Sequence, residues 1–176
     1  LFFVQNNQYA ISTPVTTQTA VSYADRARGF GIPGYRVDGN DVIATYAVTK
    51  TVMDHVRSGG GPALIEAVTY RLGPHTSSDD PTKYRDPATH AQWEARDPLP
   101  RLEAYLRANG TPDEFFEQVR QENESTAMDV RERLLKLPDP APSSMFDHVY
   151  SDPHPIVTAE REWLEAYEAS FLQTND

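Results

Sequence analysis

Residues 35–70 read YRVDGNDVIATYAVTKTVMDHVRSGGGPALIEAVTY, and this stretch decides the fold class. Tyr35 to Val37 forms a short strand. Asp38-Gly39-Asn40-Asp41 is a turn whose last residue is a good helix N-cap. Val42, Tyr46, Thr49, Met53 and Val56 then recur at alternating spacings of four and three, a single helical stripe. Gly59-Gly60-Gly61 stops that helix. Ala63 to Tyr70 continues as a buried strand. Upstream, Leu1 to Val4 is an unbroken apolar run of the kind that suits a strand covered on both faces of a parallel sheet. Between the two lies a predicted helix from Thr16 to Arg28, stopped by Gly29, Gly31 and Pro33. Strand, helix, strand, helix, strand predicts an α/β fold, a doubly wound parallel sheet with helices.

Downstream of Tyr70 the periodicity disappears. Residues 71–87 hold Gly73-Pro74, three consecutive hydroxyl side chains and Asp79-Asp80-Pro81. A polar loop of this length at a strand's carboxyl end is characteristically functional or disordered. It has few apolar side chains to anchor it, so it is expected to be loose when nothing is bound to it. Helices follow. Pro98 to Ala108 places Leu99, Leu102 and Leu106 on one face. Thr111-Pro112-Asp113-Glu114 is a strong start signal for a helix running to about Leu135, with Phe115, Val119, Thr126, Val130 and Leu134 inward. Pro138, Pro140 and Pro142 break it. A last helix from about Ala159 carries Trp163, Tyr167 and Phe171 along one face.

Charge divides the chain in the same place. Residues 1–88 carry eight acidic and eight basic side chains, and residues 89–176 carry eighteen and eight. The chain therefore reads as residues 1–88, an α/β part with the loop 71–87, and residues 89–176, an acidic helical region. The net charge of −10 argues against a nucleic-acid partner, since no cation excess is present to neutralise phosphates. It argues equally against a polybasic membrane-surface protein. No run of about 18 apolar residues is present to span a bilayer, and no secretion signal is visible. Cysteine is absent, which excludes disulfides, thiolate metal sites and a Cys nucleophile. These features together lead to the expectation of a cytoplasmic protein.

Two places are candidates for chemistry. Asn6-Asn7, at a strand's carboxyl end, is either an Asx turn or a pair of hard carboxamide ligands of the kind Mg²⁺ takes. His75 lies in the polar loop, flanked in sequence by Arg71, Lys83 and Arg85. It is either an ordinary exposed histidine or a proton-exchanging one. His55, His90, His148 and His154 lie in or beside helices or in a Pro-rich segment and read as structural or solvated. Thr76-Ser77-Ser78 lacks the G-x-S-x-G elbow, so a hydrolase is disfavoured.

Several segments together resemble one family. LFFVQNNQYAISTP resembles the end of the thiamin-diphosphate motif in the alpha subunits of 2-oxo acid dehydrogenases, the decarboxylating first components of the branched-chain and pyruvate complexes. IPGYRVDGND resembles the family's next strand and turn. GPALIEAVTYRLGPHTSSDDPTKYRD resembles its strand and active-site loop, and DPLPRLEAYLRANG its helical region. The resemblance is good over about residues 1–110 and thins beyond them.

The resemblance implies a thiamin-diphosphate-binding fold and two cofactors, thiamin diphosphate and Mg²⁺. It implies that Asn7 is a side-chain ligand of Mg²⁺ and that Tyr9 offers its backbone carbonyl. Gln5 is then near the diphosphate, where relatives often carry Arg. His75 is the loop's active-site histidine. Arg71, Ser77, Asp79, Tyr84 and Arg85, with His75, are loop residues that order around the cofactor. Thr76 stands where mammalian relatives carry a regulatory phosphoserine. The implied partners are a beta subunit in an α₂β₂ assembly, a lipoyl-bearing acyltransferase and a 2-oxo acid substrate, in a bacterial cytoplasm.

The family's motif opens with Gly-Asp-Gly or Gly-Glu-Gly well upstream of Asn-Asn, whereas Leu1 stands six residues before Asn7. The chain accordingly resembles a C-terminal portion of such a subunit, expected to hold the cofactor poorly and to be inactive by itself. The leading functional expectation is a branched-chain 2-oxo acid dehydrogenase alpha subunit. A pyruvate dehydrogenase alpha subunit is the alternative within the family. A non-catalytic interaction module is the alternative outside it, and cofactor titration separates the two classes.

Overall fold

The computed structural model describes residues 1–172 and divides by contacts into two units, Leu1–Phe115 and a second from Phe116 onward. The boundary at residue 88 is of a different kind, one of charge and composition.

The first unit is built on three parallel strands, β1 (Phe2–Asn6), β4 (Gly34–Asp38) and β5 (Leu64–Val68), in the order β1-β5-β4. A two-stranded hairpin, β2 (Tyr9–Ala10) and β3 (Thr13–Pro14), follows β1 and leads into two short helices, α1 (Val15–Gln18) and α2 (Tyr23–Gly29). The long helix α3 (Val42–Arg57) crosses from β4 to β5. The expected α/β class, a parallel sheet with helices followed by a helical region, is the architecture observed. Apolar residues dominate the central strand because it is covered on both sides: Ile65 is fully buried, and with Ala63 and Val52 it makes the core.

Register fixes where the site lies. Asn6 pairs with Val68, and Val68 pairs with Asp38, so all three strands end level. Asn7, the Gly39–Asp41 turn and the 69–71 segment therefore leave the sheet at one carboxyl edge, the side on which open α/β sheets bind their ligands.

The structure corrects several local expectations. The predicted helix over 16–28 is two helices. Ser22 interrupts it by capping α2, its hydroxyl accepting from the Asp25 N–H at 3.0 Å, while the Thr19 hydroxyl donates to the Val21 carbonyl. Such local side-chain bonds compete with helix continuation. The buried face of α3 is rotated from the expected stripe and overlaps it. Val48, Val52 and Val56 pack on the core, Thr49 and Met53 are half-buried, and Val42 and Tyr46 at the start of the stripe are exposed, Tyr46 to 68%. Val52 stands at the centre of the face because β4 and β5 meet the helix there. The hairpin depends on two non-glycine residues with left-handed backbone, Gln8 at φ 73° and Ile11 at φ 54°.

Helix α4 (Pro87–Glu94) is an element that the sequence reading does not contain. Its start signal is present in sequence: Asp86 caps it, accepting from the Thr89 N–H at 2.8 Å, and Pro87 opens it. Helix α5 (Pro98–Ala108) appears as expected.

Helix α6 (Asp113–Leu135), which begins before the unit boundary, has the predicted length, but its apolar residues are not inward. Val119 is 38%, Val130 58% and Leu134 64% exposed. The last helix, α7 (Pro155–Leu172), begins one turn earlier than Ala159. Its Trp163 and Tyr167 rings stack 5.4 Å apart, and Arg161 pairs with Asp147 at 2.6 Å. Among the described residues no helix is long and apolar enough to cross a membrane.

One charged residue sits at the centre of the sheet. Glu66, in the middle of β5, is 1% exposed. Its Oε1 accepts from the Asn6 side chain at 2.8 Å, its Oε2 accepts from the Ala24 N–H at 3.1 Å, and Arg36 lies 3.8 Å away. One carboxylate thus ties β1, α2 and β4 to β5. Helix α2 approaches closely because residue 34 is glycine: a Cβ there would stand 1.9 Å from the Ala24 carbonyl oxygen. Glu66→Leu leaves the Asn6 amide and the Ala24 N–H without acceptors. Its expected cost is roughly 1–3 kcal/mol per orphaned donor, with Glu66→Gln falling between it and wild type. Urea unfolding measures this. Equal stability of Glu66→Leu and wild type would show the carboxylate to be dispensable.

Candidate active site

At the end of β1 the pleat sends Asn6 and Asn7 in opposite directions. Asn6 is buried and committed to Glu66. Asn7 faces the carboxyl edge, and its Oδ1 accepts from the Tyr9 N–H at 3.1 Å. The Asx-turn reading of this dipeptide is therefore correct as local structure. It leaves the Asn7 carboxamide oxygen a further lone pair, whereas the Asn6 oxygen accepts from both the Gln8 N–H at 3.2 Å and the Gln8 side-chain amide at 3.4 Å. Gln5, Asn7, Tyr9, Val15, Gln18 and Tyr23 line a cavity of about 180 Å³. Complete ligand pockets run to about 300–1,000 Å³, so this cavity suits one end of a ligand.

The loop 71–87 is not anchored by apolar contacts, as expected, but it carries a dense polar network. The Arg71 guanidinium donates to the Ile11 carbonyl at 2.5 Å and to the Tyr84 hydroxyl at 3.2 Å. The Tyr84 hydroxyl donates in turn to Asp79 at 2.6 Å. The same Asp79 oxygen accepts from the His75 backbone N–H at 2.8 Å. These hydrogen bonds, from the His75 N–H first and the Tyr84 hydroxyl second, hold the Asp79 carboxyl below its usual range. Burial, and then the bond to Asp79, pushes the Tyr84 phenol up. A short 3₁₀ turn at Pro81–Lys83, capped by Asp80, carries the chain back.

Arg85 closes the loop. Its two terminal nitrogens donate to the Leu72 and Gly73 carbonyls at 2.7 and 2.6 Å. Its guanidinium also lies over the rings of Tyr9, Tyr70 and Tyr84, between 5.4 and 5.8 Å from their centroids. The residue is only 9% exposed. A buried cation is tolerable there because two carbonyl dipoles and three ring faces replace water.

His75 lies in the exposed part of the loop, with Nδ1 3.4 Å from an Arg71 nitrogen. A guanidinium only donates, so Nδ1 is the acceptor in that contact.

The structure therefore gathers Asn7, Tyr9, Arg71, His75, Asp79, Tyr84 and Arg85 at the carboxyl edge. Gln5 is exposed and lines the same cavity as Asn7. Ser77 stands on the exposed tip between Thr76 and Ser78, whose hydroxyls are 3.2 Å apart. Sequence reasoning missed Glu66, Tyr70 and the clamp formed by Asp38 and Asn40 with Arg96 and Arg101. A lone acid inside the apolar run Ala63 to Val68 was the available signal for Glu66. In the clamp, Asp38 accepts from Arg96 at 3.2 Å and from Arg101 at 3.0 Å.

The donor set decides what could bind. Among the described residues no three His, Asp or Glu side chains cluster as a metal site. A carboxamide oxygen at Asn7 and a carbonyl at Tyr9 fit a hard cation as two of its ligands, with water and ligand oxygens making up an octahedron.

The dehydrogenase E1 component family matches residues 1–140. The chain belongs to this family. Over 168 residues, 94% of its length, it is 46% identical to the 3-methyl-2-oxobutanoate dehydrogenase subunit alpha of Mycobacterium tuberculosis, covering 46% of that protein. Over 112 residues, 62% of its length, it is 50% identical to the pyruvate dehydrogenase E1 component subunit alpha of Staphylococcus aureus, covering 30% of it. The chain thus spans less than half the length of these relatives. Family membership agrees with the resemblance read from the chain's motifs.

The lowered pKa of Asp79 has a definite pH signature. A depressed folded value means that the carboxylate's contribution is complete above the unfolded value and is lost as pH falls through the folded one. The Asp79 contacts with His75 and Tyr84 are expected to persist across neutral and mildly acidic pH and to loosen only below about pH 4. Amide exchange or NMR of His75 against pH reads this. Loosening already near pH 6 would contradict it.

Proposed function

We propose that this chain supplies the strand-end and loop residues of the alpha subunit of a branched-chain 2-oxo acid dehydrogenase. The subunit catalyses oxidative decarboxylation of a 2-oxo acid, and the acyl group passes to a lipoyl group on an acyltransferase partner. The observation that carries the reading is the convergence of Asn7 and Tyr9 with His75 and its loop at one carboxyl edge. The branched-chain choice rests on the match to the mycobacterial subunit, which extends over 94% of the chain and so includes the C-terminal helices. The reading includes a beta subunit, an α₂β₂ assembly and a bacterial cytoplasm as the place of work.

In this reading Asn7, through its side-chain oxygen, and Tyr9, through its carbonyl, hold Mg²⁺ against a diphosphate, with Gln5 beside it. Thiamin diphosphate, when bound, supplies the carbanion and the electron sink for decarboxylation. Arg71, Asp79, Tyr84 and Arg85 hold the loop over the site, and Ser77 stands at its tip. His75 carries an exchangeable proton, its ring oriented by Arg71 through Nδ1.

The test of the substrate class is a comparison of kcat/KM in the assembled component. A preference of about tenfold or more for 3-methyl-2-oxobutanoate over pyruvate is expected, the scale on which apolar pockets discriminate. The reverse preference makes the protein a pyruvate dehydrogenase subunit. No turnover and no cofactor binding leaves it an interaction module.

His75→Ala is expected to reduce turnover by about 10²–10⁴-fold while leaving assembly intact. Assembly survives because the ring is exposed and Arg71 retains its bonds to Ile11 and Tyr84. An artificial-acceptor assay reports decarboxylation, and the full-complex assay adds acyl transfer. Near-normal rates in both would make the histidine structural.

A further inference from the structure

Trp93 lies on α4, beyond the loop and outside every residue assigned above. Its ring stacks on Tyr70 at 5.5 Å with 11° between the planes. The Arg96 guanidinium lies 4.8 Å from the same indole. Tyr70 in turn lies 5.4 Å from the Arg85 guanidinium, which holds the Leu72 and Gly73 carbonyls. Cation, indole, phenol and cation thus form one continuous stack ending on the backbone of the loop. Its far end is fixed to the sheet: Arg96 donates to Asp38 at 3.2 Å, and the Arg96 carbonyl accepts from the Asn40 side chain at 3.0 Å.

The stack supplies what Arg85 lacks. No carboxylate pairs with Arg85 within ion-pair distance among the described residues, so carbonyls and ring faces balance its charge. Tyr70 is itself 7% exposed, and among the described residues Trp93 alone meets its ring face to face, Tyr9 lying edge-on at 5.9 Å and His90 tilted at 5.8 Å. Removing the Trp93 face frees Tyr70 to tilt and weakens the hold of Arg85 on Leu72 and Gly73. The next residues along the loop include His75.

We infer that Trp93 is a positioning residue for the 71–87 loop, acting through Tyr70 and Arg85 and touching neither substrate nor cofactor. The consequence for catalysis rests on the function proposed above; the consequence for loop order does not.

Trp93→Ala, Trp93→Leu and Trp93→Phe, each in the assembled component, test it. In Trp93→Ala the His75 and Asp79 amides are expected to exchange about tenfold faster, the scale of an aromatic pair. The amides of Leu64–Val68 should be unchanged. The thiamin diphosphate concentration for half-maximal rate rises by a similar factor, while kcat at saturating cofactor stays near wild type. Trp93→Leu keeps apolar bulk without the flat ring and should behave like Trp93→Ala, which covers the case in which the alanine variant fails to assemble. Trp93→Phe restores a stacking surface and should return both readouts toward wild type. Unchanged His75 and Asp79 exchange in the alanine and leucine variants would overturn the inference. So would equal acceleration in β5, which marks general destabilisation, or failure of Trp93→Phe to rescue. If the wild-type component turns over no 2-oxo acid, the functional reading falls, and the exchange measurements still decide the role of Trp93.

Discussion

Glu66 is the constraint on which the carboxyl edge of the sheet depends. A carboxylate at the centre of a parallel sheet is costly unless every lone pair is used. Here the use of those lone pairs is what assembles the edge. One oxygen takes the Asn6 amide and fixes the end of β1, and the other takes the Ala24 N–H and fixes the start of α2 against β4. Arg36, largely solvated, offsets the charge from the side. A Leu at this position would be compatible with β5 as a strand, but the ends of β1 and α2 would then lose their common reference point.

A second layer of organisation lies over that edge and is of a different kind. The loop 71–87 buries almost no aliphatic surface. It is shaped by charge-assisted bonds and by a guanidinium enclosed by three tyrosines. Such contacts are directional, so they specify where His75 and Asp79 stand more sharply than a hydrophobic contact would. They are also individually modest, so the tip between its two arms remains exposed.

The legible and illegible parts of the sequence divide along physical lines. Strands β1, β4 and β5 and helices α3 and α5 were legible because apolar runs, caps and glycine stops are local signals. The Asn6-Asn7 and His75 strings stood out in the sequence because strand ends and polar loops concentrate unusual residues. The face of α3 was partly missed because two adjacent apolar stripes exist on that helix, and only the neighbouring strands decide between Val52 and Tyr46. Helix α4 was missed because it is short and weakly amphipathic, although Asp86-Pro87 announces it. The inward face assigned to α6 failed for the converse reason. Periodicity shows that a helix has an apolar side, not that anything covers it, and Val130 and Leu134 remain exposed. The partners of Arg85 could not be read at all, since Tyr9, Tyr70 and Tyr84 come together only after β1 and β5 have paired.

The strand-end dipeptide shows how fold and site share residues without conflict. In the pleat, neighbours point to opposite faces, so a strand that ends in Asn-Asn delivers one carboxamide inward and one outward. The inward one is consumed by Glu66, which lies opposite Val4 in the β1–β5 register and so within reach along the strand. A shift of a single residue in that register would put Asn7 inward and turn Asn6 out. The apolar residues of β1 would then change faces as well. The pairing of Phe2 with Leu64 through Asn6 with Val68 is therefore held by the backbone ladder and by one amide–carboxylate bond near its tip; the expected cover on both faces of Leu1 to Val4 is not found, because β1 is an edge strand whose Phe2 and Phe3 are 59% and 47% exposed. The residue left facing the site, Asn7, owes its orientation to a hydrogen bond that its neighbour makes.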